Sequence, residues 1–217
     1  MNTLLSRDSP GIPSRESSRA LARNLFASLS ANDRRVRLRL CDLVEHCALM
    51  CAEEEDPDVL AASAYLQETG VIHSSREKAR YSLSLAEHYF EESLGELDPR
   101  LVDCILHHVR AGENAAVTAE ARLMQICHKY AVTHYLDYLD LKASVSIAAF
   151  ERLQLERIDA YSRYLRQHPR GQEIGEILHG IFYPQAGASL GHEPWERALR
   201  EIRLRFPTAP SGLALTH

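Results

Sequence analysis

Apolar residues recur at spacings of three and four along nearly all of this 217-residue chain, and no window sustains the two-residue alternation of a half-buried strand. That period is restrictive. A chain that hides one residue in every three or four buries them as helical stripes, and stripes are covered by packing helix on helix. The expectation is an all-α protein with one helical domain over residues 19–206. Helices are predicted at about 19–29, 33–55, 58–69, 76–94, from Pro99 to the paired histidines, 118–139, 144–167, 172–182 and 193–205. Asn32 or Asp33 is a suitable cap for the second, Asp56-Pro57 and Asp98-Pro99 open two others, and Gly70 and Gly95 stand where helices close. The run from Val59 to Leu66 is almost wholly apolar, so its helix is expected at the centre.

The ends carry no such pattern. Residues 1–18 are rich in Ser, Pro and Arg and are expected to be disordered, because such a segment buries too little to offset its ordering entropy. Residues 207–217 are expected to form a loose tail. A net charge of −5 gives no general support for binding nucleic acid or an anionic membrane. No apolar run approaches the ~18 residues of a membrane span, and only an apolar triplet precedes the first Ser and Arg, so no secretory signal is expected. The five cysteines form no C-x-x-C pair. They fit buried thiols in a reducing cytoplasm, the expected location.

Three short stretches carry chemistry. One helix ends Cys104-Ile105-Leu106-His107-His108, with His108 bordering its apolar face and His107 turned away. The following helix reads Glu120-Ala121-Arg122-Leu123-Met124-Gln125-Ile126-Cys127-His128. The central apolar helix ends Leu66-Gln67-Glu68-Thr69-Gly70. Imidazole and carboxylate together hold divalent metals, and such a metal acidifies a water for attack on phosphorus.

This order, over about residues 35–140, resembles an HD domain, a helical fold that hydrolyses phosphate esters with metals held by His and Asp. The resemblance implies an HD-like helical bundle, with residues 141–206 as a C-terminal helical extension. It aligns the family's His-Asp pair with Gln67-Glu68 and its late Asp with His128. Its first His falls near Leu40 to Asp42, with His46 one to two turns later. Paired histidines also occur in the HD-GYP branch, whose continuing Glu is Val109 here and whose Gly-Tyr-Pro segment is absent from residues 110–117. The metal ligands so implied are Glu68, His107, His108 and His128, with Glu68 also the candidate catalytic residue and Mn, Fe or Zn the candidate ion. Two functions follow. One is a non-catalytic or weakly catalytic regulatory and signalling protein, without a cofactor, that binds a small ligand, a protein partner or a second copy of itself. The other is a divergent metal-dependent phosphohydrolase acting on a nucleotide-like phosphate ester.

Other clusters have plainer readings. Arg34, Arg35, Arg37 and Arg39 fit a solvated helix face. Tyr130, Tyr135 and Tyr138 with His134 fit a helix interface. Cys47 and Cys51, one helical turn apart, fit the core, since no further ligands follow at a structural-zinc spacing.

Overall fold

The protein is all-α. The computed structural model describes residues 11–73, 77–108, 116–135, 137–139 and 147–184, with backbone alone for 147–155. The helices are α1 (Arg15–Phe26), α2 (Ala31–Cys51), α3 (Pro57–Leu66), α4 (Lys78–Leu94), α5 (Pro99–His107), α6 (Ala119–His134), α7 (Ile147–Gln167) and α8 (Gly171–Phe182), with a 3-10 turn at Thr69–Ile72. Among the described residues no helix is long and apolar enough to cross a membrane.

Local chemistry sets most of the helix starts. Ser14, Ser30, Asp56, Asp98 and Thr118 each accept a hydrogen bond from an amide of the following first turn, and Pro57 and Pro99 take the position where a missing N–H costs nothing. Ser30, rather than Asn32 or Asp33, caps α2. That helix stops at Cys51, short of residue 55, because Ala52 turns extended before the acidic junction Glu53–Glu55. Gly95 closes α4 with φ 71°, a conformation costly for any residue with a Cβ.

As expected, α3 lies at the centre: every residue from Val59 to Leu66 is buried, and α1, α2, α5 and α6 all pack against it. The C-terminal helices join the same core, with Ile174 and Leu178 of α8 fully buried in one cluster with Cys47 and Cys51 of α2. All five cysteines are buried free thiols.

The N-terminal expectation needs correction. Of the span 1–18, residues 11–18 belong to the fold. Gly11 N–H donates to Glu96 O at 2.8 Å, Asp98 N–H donates to Gly11 O at 3.0 Å, Arg15 forms an ion pair with Glu45, and Ser18 is buried. The polar composition hid this, because backbone pairing and an ion pair leave no apolar period. Residues 1–10, the break at Ala111–Asn114, the helix expected at 193–205 and the tail at 207–217 lie outside the described residues.

Candidate functional site

The site is built where α3 ends. Gln67 is the C-cap, and its carbonyl accepts from Ser82 Oγ of α4 at 2.9 Å, while the Leu66 carbonyl accepts from Thr69 Oγ1 at 2.7 Å. Side chains thus satisfy carbonyls that a helix end leaves bare. Ser82 Oγ also accepts from Gly70 N–H at 2.8 Å, tying the 3-10 turn to α4. Gly70 is not the left-handed cap its position suggested. It is required by close approach, since a Cβ there would lie 2.1 Å from the Lys78 carbonyl and 2.6 Å from Ser82 N. The first turn of α4 therefore seats directly on this turn, and Lys78 reaches the residue that follows Gln67.

That residue is Glu68, which is 1% exposed. Its Oε1 lies 2.5 Å from Lys78 Nζ and accepts from His128 Nε2 at 2.9 Å, and its Oε2 lies 3.4 Å from Arg37 Nη1 of α2. Burial alone would raise the Glu68 pKa, yet the Lys78 ammonium and the hydrogen bond from His128 hold it well below the usual carboxylate value. Glu68 is ionised.

The two histidines are neutral. Burial, with Lys78 and His128 nearby, pushes His108 well below its ordinary value, and burial lowers His128 to about 4 against the pull of its bond to Glu68. Their bonds assign the tautomers. The Ile105 carbonyl can only accept, so His108 Nδ1–H donates to it at 2.8 Å and leaves Nε2 as a bare lone pair. His128 donates through Nε2, which leaves its Nδ1 bare. Both bare nitrogens are buried without a partner among the described residues, as are both polar atoms of the Gln67 carboxamide. The rings meet edge to face, with centroids 4.9 Å apart at 89°.

Glu68, His108 and His128, three of the four residues singled out as ligands, therefore come together, each offering a ligand atom within 4.8 Å of the others. His107 does not join them. Its Nδ1 lies 2.5 Å from Asp103 Oδ1, and its carbonyl accepts from Gln125 Nε2 at 2.7 Å. The other Asp103 oxygen takes Val117 N, Thr118 N and Thr118 Oγ1 within 2.9 Å, so His107 belongs to the brace that joins α5 to α6. His46 is exposed on α2 and contributes nothing to the cluster.

Two residues of the cluster were missed. Arg37 was grouped with a solvated face, but it is 6% exposed and pairs with Glu68. Its spacing held the clue: Arg37 lies one turn before Cys41, beside the Val36, Leu40, Val44 stripe. Lys78 had a fainter signal, as one of only three lysines, at 78, 129 and 142, in a chain otherwise rich in arginine.

The donor types suit a divalent transition metal, since two imidazoles and a carboxylate converge. The charges do not. Both oxygens of the cluster's only carboxylate already face cations, and the two unpartnered nitrogens are neutral. With Lys78 and Arg37 as they stand, these residues do not fit a divalent ion. No family model, curated protein or solved structure compared with the chain matches it.

Proposed function

We propose that this chain is a non-catalytic, HD-like regulatory protein that binds a ligand or a protein partner, and that its buried cluster holds the fold together rather than a reaction centre. One observation carries the reading: Glu68 is neutralised by the chain's own Lys78 at 2.5 Å and Arg37 at 3.4 Å. A metallohydrolase needs that carboxylate for an ion and for the water on it. Here the carboxylate serves as the counter-charge of the buried Arg37 and the half-buried Lys78. Room for a ligand lies elsewhere, in a cleft of about 600 Å³ between the α2–α3 junction, α6 and the end of α7. Arg122, Tyr164 and His168 line it together with Gln125, the same side chain that holds the His107 carbonyl. That volume falls within the range of small-molecule sites.

The divergent phosphohydrolase remains the second reading, favoured by the convergence of Glu68, His108 and His128 within 4.8 Å and by the two bare imidazole nitrogens. Metal analysis of the purified full-length chain, with an assay on a generic aryl phosphodiester, separates the two. The expected result is substoichiometric Mn, Fe and Zn and no turnover above background. Stoichiometric metal, with turnover abolished by Glu68→Ala and by His108→Ala, would replace the regulatory reading with the hydrolase.

A further inference from the structure

Lys78 brings its charge to the point where a divalent ion would be drawn. Its ammonium shares Glu68 Oε1 with His128 Nε2, at 2.5 Å and 2.9 Å, while Arg37 faces Oε2. His108 Nε2 and His128 Nδ1 are buried without a partner among the described residues. We propose that Lys78 is a built-in counter-cation that closes Glu68, His108 and His128 to divalent transition metals, and that removing its charge alone turns these three residues into a metal site. The inference rests on reading the cluster as neutralised by its own side chains.

Three observations support it. First, the remaining donor set is two neutral imidazoles and one ionised carboxylate, the set that suits Zn, Co or Mn. His108 would meet the ion through its bare Nε2, and His128 through the Nε2 that now faces Glu68, whose proton would pass to the bare Nδ1 so that both imidazoles stay neutral. Second, an ion touching Glu68 would lie within a few ångströms of the Lys78 ammonium in a region sheltered from water, where like charges repel strongly. Arg37 is the weaker obstacle, because it contacts the other oxygen at the longer distance of 3.4 Å. Third, Lys78 is the most accessible member of the network, with its side chain 13% exposed against 1% for Glu68, 5% for His128 and 7% for Arg37. It enters from the first turn of α4, so its head group can be exchanged while Glu68 keeps Arg37 and His128.

The test uses the full-length chain and Co²⁺, whose visible spectrum reports nitrogen and oxygen coordination. Lys78→Met should bind one Co²⁺ per chain at least ~100-fold more tightly than the wild type. Lys78→Arg, which keeps the charge, should behave as the wild type, and adding His108→Ala to Lys78→Met should abolish the gain. A folded Lys78→Met, judged by circular dichroism, that binds no more Co²⁺ than the wild type would overturn the inference and leave the regulatory reading standing. Stoichiometric, His108-dependent Co²⁺ on the wild type would instead overturn the self-neutralised cluster and the inference with it. Should Lys78→Met fail to fold, Lys78→Gln carries the same expectation, because it removes the charge and keeps a donor for Glu68.

Discussion

At the scale of single residues, Glu68 determines the character of the cluster. It is one carboxylate shared by two cations and a neutral imidazole, all buried or nearly so. Removing it would leave Lys78 in a sheltered region without its counter-charge and Arg37 with only Asp33 at 3.9 Å. Glu68→Ala is therefore expected to destabilise the protein by roughly 3–5 kcal/mol, the usual cost of breaking a buried ion pair from one side. Urea unfolding measures this, and a loss below about 1 kcal/mol would mean that water already screens the network. The sequence placed Glu68 among the candidate ligands but not its partners. Arg37 and Lys78 precede and follow it by 31 and 10 positions, and pairing at that separation is created only when α2 and α4 converge on the end of α3.

At the scale of elements, the starts of α3 and α5 were legible and some helix ends were not. Pro57 and Pro99 act within one turn of themselves, so Asp56-Pro57 and Asp98-Pro99 could be recognised without a tertiary structure. The end of α3 is different. It is closed by Ser82 and Thr69, and Gly70 is glycine because the backbone of α4 runs against it. Gly70→Ala would set a Cβ against the Lys78 carbonyl and Ser82 amide, which belong to a helix backbone and have little freedom to shift. The expected cost is roughly 1–3 kcal/mol, the range for overpacking a filled site. Nuclear magnetic resonance shifts of the Lys78 and Ser82 amides should move with it. Unchanged shifts and stability would show that α4 does not depend on this close approach. The Asp103 brace has the same origin, because its acceptors meet Val117 and Thr118 only after α5 turns into α6.

At the scale of the whole molecule, the buried histidines make stability depend on pH. Burial, with His179 nearby, lowers His134 to about 3; burial lowers His128 to about 4 and places His108 well below its ordinary value. In the unfolded chain each titrates near 6.5, so below that pH the unfolded state binds protons that the folded state refuses. Stability should fall as pH drops from about 6.5 toward 4, by roughly 1.4 kcal/mol per pH unit for each such histidine. Urea midpoints between pH 7 and pH 5 test this, and a flat profile would mean that these imidazoles are not neutral and buried together. What the sequence determined by itself was the helical class and the central place of α3, because periodicity acts over a few positions, while the candidacy of Glu68, His108 and His128 came from the resemblance of the motif order to an HD domain. The tertiary structure alone decided that Lys78 and Arg37 neutralise Glu68, that His107 turns to Asp103, and that residues 11–18 dock on the domain. Each of these depends on charges and backbone groups that are distant along the chain and become neighbours only once the helices have packed.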